Sequence, residues 1–130
     1  METAELAERW RTTWTEAWAR LDADAIVALY RPDAAYRSHP LRDAERGARG
    51  YVERVFAEEE AVECRFGDPL VAGERAAVEW WASWVEAGEE VTLAGVTVLR
   101  FDADGLVAEH TDYWLEGGGR IAPFPGWGDR

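Results

Sequence analysis

The sequence predicts an α+β domain in which three helices pack against a strongly bent, mostly antiparallel sheet. Two observations carry this reading. Over roughly the first sixty positions apolar residues recur at helical spacing; beyond them the period drops to two. The helical and strand patterns are also segregated along the chain instead of alternating, which argues against a parallel α/β sheet. A curved sheet wrapped on helices makes a cone with an apolar mouth.

The elements follow in order, with helices over about 3–30 and 48–60, sheet over about 62–116 and a tail over 117–130. Leu6, Trp10, Trp14, Trp18 and Leu21 form one helical stripe, with Thr3 as a plausible N-cap. Asp22-Ala-Asp24 restarts a short helix over Ala25 to Tyr30, and Pro32 ends it. Ala34 to Ser38 reads as a strand closed by Pro40, followed by a charged loop over Leu41 to Arg46. Tyr51, Val52, Val55 and Phe56 share one face of a third helix that runs to about Glu60. Glu58-Glu59-Glu60 then reads as a solvated helix end.

Val62 to Val71 is a strand broken by Gly67-Asp-Pro69, and Arg75 to Glu86 a long one turned back by Ala87-Gly88. Val91 to Phe101 and Leu106 to Leu115 flank the turn Asp102-Ala-Asp104-Gly105. The tail from Ile121 to Trp127 is aromatic enough to dock on the body. There is no internal repeat, so residues 1–130 read as a single domain.

Composition narrows the function. A chain of 130 residues buries roughly two-thirds of its unfolded surface, enough for one core and one enclosed pocket. Its net charge of −12 repels phosphate backbones and anionic membranes, so nucleic-acid and membrane partners are not expected. All bases are arginine, and lysine, asparagine and glutamine are absent, which excludes Schiff-base chemistry and a P-loop. That bias also fits a GC-rich bacterial genome. No stretch is long and apolar enough for a membrane-spanning helix, and the N-terminus lacks the basic-then-apolar order of a signal peptide. A cytoplasmic location is the expectation. Cys64 is the only cysteine, so no disulfide forms within the chain, and it reads as a small buried residue.

Alternation assigns the faces. Val78, Trp80, Ala82 and Trp84 form a wholly apolar face that should line the cone. The opposite face carries Glu79, Trp81, Ser83 and Val85, and its tryptophan marks a candidate subunit interface. In the last strand Ala108, His110, Asp112 and Trp114 share one side. If that side faces inward, a histidine and an aspartate enter an aromatic cavity, where they must pair or bond to something. The other histidine, His39, ends the first strand.

The segments Asp22-Ala-Asp-Ala-Ile-Val-Ala-Leu-Tyr30, Pro32-Asp-Ala-Ala-Tyr36, Ser38-His-Pro40, Leu99-Arg-Phe-Asp-Ala-Asp-Gly105 and Glu109-His-Thr-Asp-Tyr-Trp114 resemble the nuclear transport factor 2-like superfamily. Within it they resemble the SnoaL-like and ketosteroid-isomerase branch, from about residue 5 to 115. The resemblance implies a cystatin-like roll whose outer sheet face forms a homodimer. His39 falls where ketosteroid isomerases have their aspartate base, Trp14 at their oxyanion-hole tyrosine and Thr97 at their protonated aspartate. Two of those three positions lack oxyanion-binding chemistry, so steroid isomerisation is not expected. SnoaL-like cyclases are similar in placing a histidine and an aspartate inside the cone, as His110 and Asp112 do.

The candidate catalytic residues are therefore His39 as general base, Asp112 as its orienter or the acid, and His110 as an auxiliary. Trp14, Trp18, Trp80, Trp84 and Trp114, with Tyr30, Tyr36 and Thr97, are the candidate binding residues for a small apolar, ring-bearing molecule. Two histidines and a carboxylate also match an iron ligand set, but a metal is not expected, nor is a cofactor. The leading expectation is a cofactor-independent acid–base enzyme: an isomerase, cyclase or dehydratase, or a hydrolase. The alternatives are a non-catalytic ligand-binding or accessory homodimer, and a structural dimer whose cone is plugged by its own tryptophans.

Overall fold

The computed structural model describes residues 1–129. Helix α1 (Thr3–Ala19) buries Leu6, Trp10, Trp14, Ala17 and Trp18 along one stripe. Its cap lies one residue earlier than expected, at Glu2, whose backbone N–H donates to the Glu5 carboxylate at 3.2 Å. Helix α2 (Ala23–Val27) starts where the Asp22 carboxylate accepts the Ala25 N–H. It stops before Tyr30, which instead opens strand β1 (Tyr30–Arg37). Within the expected charged loop, β2 (Glu45–Arg46) pairs with β1.

Helix α3 (Arg49–Phe56) ends four residues short of the expected Glu60. Glu59 and Glu60 belong to strand β3 (Glu59–Phe66), where they pair with Glu86 and Val85. The solvated helix end is thus corrected: Glu59 is 6 % exposed. A bulge follows between Glu60 and Glu63, with Ala61 at a left-handed φ of 52°. The sheet continues through β4 (Leu70–Ala72), β5 (Arg75–Glu86), β6 (Glu89–Phe101) and β7 (Val107–Gly118). Its order is β2-β1-β7-β6-β5-β3, with β4 also on β5 and a single parallel pair, β1 with β7. This is the predicted α+β architecture, and the sheet does not close.

The core sits between α1 and the concave face. Ala76, Val78, Trp80, Ala82 and Trp84 of β5 are all buried, as the alternation of β5 predicts. Gly95 of β6 is the cross-strand partner of both Trp80 and Trp114. A Cβ there would collide with the Tyr113 carbonyl oxygen and lie 2.8 Å from the Trp114 Cβ. A side chain cannot fit where β6 and β7 come this close.

The tail docks, and it docks outside the cone. Trp81 donates from Nε1 to the Ile121 carbonyl at 2.7 Å, and its ring meets those of Phe124 and Trp127. The Thr92 hydroxyl donates to Gly119 O and accepts the Ile121 N–H. The C-terminal segment thus packs on part of the Trp81 face expected as a subunit interface, and Trp81 stays partly exposed, as do Ile121 and Phe124 of the segment itself. The large apolar side chains left open on that side of β7 are Tyr113 and Leu115. Among the described residues no helix is long and apolar enough to cross a membrane.

Replacing Gly95 with alanine is expected to destabilise the domain by about 2–4 kcal/mol, since backbone must move to admit the methyl group. Urea unfolding of the variant against wild type measures it.

Candidate functional site

The cone encloses a cavity of about 270 Å³. Its walls come from α1 (Trp10, Trp14, Trp18), α3 (Tyr51, Phe56), β3 (Glu59, Phe66) and the concave strands (Trp80, Trp84, Leu93). Strand β7 supplies His110, Asp112 and Trp114. The cavity is open space among the tryptophans, so the cone is not plugged by them.

The polar centre is a chain of hydrogen bonds whose donors can be counted. The Tyr30 hydroxyl accepts the indole N–H of Trp10 at 2.9 Å and of Trp14 at 3.1 Å. Both lone pairs are then used, so its proton is donated to His110 Nδ1 at 2.8 Å. His110 is consequently the neutral tautomer with its proton on Nε2. Tyr36 stacks on the imidazole at 4.0 Å with an interplanar angle of 15°. The ring is thus clamped from one edge and one face.

Nε2 lies 2.8 Å from Asp112 Oδ1. The oxygen sits off the N–H axis, however, so by hydrogen-bond geometry this buried donor remains unsatisfied. Asp112 Oδ1 accepts the Thr97 hydroxyl at 2.6 Å, and Thr97 in turn accepts the Trp80 indole N–H at 2.9 Å. The Thr97 proton is therefore directed at Asp112, as suits a carboxylate. Oδ2 has no partner among the described residues.

Glu59 occupies another part of the cavity wall. Its Oε1 accepts the Trp18 indole N–H at 2.7 Å. Burial among aromatic rings pushes its carboxyl up to about 7, against the smaller downward pull of that hydrogen bond. Burial, reinforced by the Asp112 charge, raises the Tyr51 phenol to about 12, and it raises Tyr30 and Tyr36 further. The Cys64 thiol is pushed up to about 12 by burial and donates to Thr15 O, so it is no nucleophile.

Of the expected site residues, Asp112, His110, Trp14, Trp18, Tyr36, Trp80, Trp84, Thr97 and Trp114 all line the cavity. Tyr30 does not, because its hydroxyl is fully engaged behind His110. His39 does not either. Its Nδ1 accepts the Leu41 N–H, and its ring lies edge-on to Trp114 outside the cavity. It does not meet Asp112, so the expected His39–Asp112 pair is replaced by His110–Asp112. Among the described residues no three His, Cys, Asp or Glu side chains converge as metal ligands. Sequence reasoning missed Glu59. Its one available signal was position: the acid next to the first residues of a strand whose partner runs to Glu86.

A model of the SnoaL-like domain matches residues 12–110. The chain belongs to the SnoaL-like family. Solved structures agree on the fold of this SnoaL-like protein. The epoxide hydrolase/cyclase-like enzyme SalBIII of salinomycin pyran ring formation superposes with a TM-score of 0.73 at 20 % identity, covering 90 % of this chain and 95 % of that one. A Catenulispora acidiphila protein with a ketosteroid isomerase-like fold, solved with trimethylamine, gives 0.71 at 22 %, covering 86 % of each. An LEH-like epoxide hydrolase of M. tuberculosis gives 0.71 at 18 %, covering 88 % and 86 %. No curated protein sequence matches the chain.

Tyr30→Phe in this SnoaL-like domain leaves two buried indole N–H groups and His110 Nδ1 unpaired. A loss of about 2–4 kcal/mol in chemical unfolding is expected. Glu59 carries the opposite sign. Its folded-state carboxyl is raised from 4.5 to about 7, so the stability it contributes is present below pH 4.5 and lost as pH rises to about 7. Relative to Glu59→Gln, wild type should lose on the order of 2–3 kcal/mol across that window. Thermal unfolding of both proteins over the pH series measures it.

Proposed function

We propose that this SnoaL-like protein is a cofactor-independent acid–base enzyme acting on an apolar, ring-bearing molecule. The observation that carries the reading is the His110–Asp112 pair on the wall of an aromatic cavity. Asp112 is the base, its Oδ1 held by Thr97 and its Oδ2 free to take a proton. His110 holds its buried Nε2–H 2.8 Å from Asp112 Oδ1, and turning that donor toward the cavity meets the substrate oxygen on which negative charge develops. Tyr30 holds the tautomer and is a positioning residue.

The pair suits proton removal next to a carbonyl. Asp112 takes the C–H proton and the electron pair moves onto the carbonyl oxygen facing His110. The enolate then either takes the proton back at another carbon or bonds a second carbonyl carbon of the same molecule, whose C=O π pair moves to its oxygen and takes the proton from Asp112. Isomerisation and cyclisation both follow from that step. Two of the structural neighbours are described by epoxide hydrolysis or ring formation, and the same two groups serve there. Asp112 then takes the proton of the attacking water or hydroxyl as its oxygen bonds the epoxide carbon. The epoxide C–O bond breaks, and the released oxygen, held by His110 Nε2–H, takes that proton from Asp112. His39 has no part in either scheme.

The test is solvent deuterium exchange into cyclic ketones, with a parallel panel of cyclic epoxides, read by mass spectrometry. Asp112→Asn is expected to lower the rate at least about 100-fold while Tm shifts by only a few degrees. His39→Ala should leave the rate within about threefold. Binding of these compounds without exchange or ring opening would favour the ligand-binding reading, and a His39→Ala loss as deep as that of Asp112→Asn would overturn the assignment.

A further inference from the structure

We propose that Glu59 and the indoles around it form a seat for a cationic amine, so that the ligand pairs its apolar body with a positively charged nitrogen. The proposal deepens the pocket reading above and needs the cavity to be a ligand site, but it does not depend on Asp112 being a base.

Three observations point there. Glu59 is 6 % exposed and faces the cavity, yet makes no ion pair among the described residues. One of its oxygens accepts the Trp18 N–H, and the other has no hydrogen-bond partner among them. A buried carboxylate of this kind is costly unless a cation or further donors meet it. Next, the wall beside it is a cluster of aromatic rings joined to Trp18, which meets Glu59 through its indole N–H. Trp18 lies at 5.6 Å from Trp14, 5.9 Å from Trp80 and 5.7 Å from Trp84, centroid to centroid, and Phe56 closes on Trp14 at 6.4 Å. Tryptophan is the ring that attracts an ammonium most strongly, and a ring cluster of this sort desolvates the cation without repelling it. Lastly, the lining is acidic. Glu58, Glu59, Glu86, Asp112 and Glu116 face a single base, Arg42, whose guanidinium lies over Trp114. An anionic ligand meets repulsion on entry, whereas a cation is drawn in.

The Glu59 carboxyl, raised to about 7, supplies a pH signature. A permanently charged ligand favours ionised Glu59, so its affinity rises with pH through that region and falls when the carboxyl holds its proton. The other charged groups near Glu59 are Glu58 in the turn before β3 and Glu86 on β5, both of which push its carboxyl up, and the titratable Tyr51 of α3 and Cys64 of β3 feel its charge. His110, Asp112 and Arg42 share the cavity, and Trp18 from α1 does not titrate. Glu59→Gln keeps the acceptor for Trp18 and separates Glu59 from all of these.

Choline and its uncharged isostere 3,3-dimethyl-1-butanol are the probes, titrated calorimetrically and by tryptophan fluorescence. At about pH 8.5 choline is expected to bind at least about tenfold more tightly than the isostere, and Glu59→Gln should erase that preference. In wild type choline affinity should fall at least about tenfold by pH 5.5, with no such fall in Glu59→Gln. Equal binding of the two probes, a preference that survives Glu59→Gln, or no binding of choline overturns the seat. The deuterium-exchange and epoxide assays on neutral compounds are unaffected by that outcome, so the amine seat and the acid–base reading fail separately.

Discussion

The Tyr30 hydroxyl is the constraint on which the site depends. It joins three elements at one atom: Trp10 and Trp14 of α1 donate to it, and it donates to His110 of β7. A hydroxyl has one proton and two lone pairs, so this arrangement saturates it and leaves no alternative direction for the proton. The helix is thereby registered against the sheet by polar contacts inside an apolar core. The same count places the His110 proton on Nε2, next to Asp112. Packing of α1 and the protonation state of the site are one fact seen from two sides, because a shift of the helix would remove the donors that force the Tyr30 proton toward His110.

Enclosing a cavity of about 270 Å³ in a domain this small requires walls that do not collapse. The tryptophans of α1 and β5 provide them through edge-to-face and tilted contacts, which fix large rigid rings with few rotatable bonds. Gly95 contributes by absence, letting β6 and β7 approach without a side chain between Trp80 and Trp114. On the opposite face the tail hydrogen-bonds Trp81 and Thr92. The outer face of β5 is therefore covered in part by chain, and the inner one by α1 and the cavity.

Much of the fold was legible because it rests on periodicity. The strict alternation of Val78, Trp80, Ala82 and Trp84 put four side chains on the concave face, and the turn residues delimited β5, β6 and β7 within a few positions. The same alternation carried His110, Asp112 and Trp114 inward. The failures were local. Glu58-Glu59-Glu60 is a run of acids after a helix, and burial of the middle one arises from pairing with Glu86 across sequence, which no local pattern signals. Tyr30 was read as the end of a helix, so its role as a hub was invisible. His39 was carried inward by a family correspondence, but a strand end followed by proline turned its ring to Trp114 and its Nδ1 to the Leu41 N–H. The Trp81 face was apolar as expected, yet what packs on part of it comes from a tail whose docking place the sequence did not indicate.

Two buried polar groups on the cavity wall depart from ordinary folding rules. His110 keeps a buried N–H without an aligned acceptor, Glu59 is buried without a counter-ion, and Ala61, two residues on, holds a left-handed backbone that costs about 1–2 kcal/mol. Elsewhere many of the described polar groups are conventionally paired: Arg11, Arg54 and Arg100 meet carboxylates, and the Ser83 hydroxyl donates to Thr92, whose own proton goes to Gly119 O. Backbone strain is not confined there, since Leu21 and Ala87 also hold a left-handed φ, so it is the two polar groups of His110 and Glu59 that set the cavity wall apart. Each of the two unmet groups lacks the partner that the opposite part of a ligand carries, a positive nitrogen for Glu59 and an oxygen for His110. If both proposals hold, a molecule bearing both features binds in one orientation, with its nitrogen at Glu59 and its oxygen beside His110.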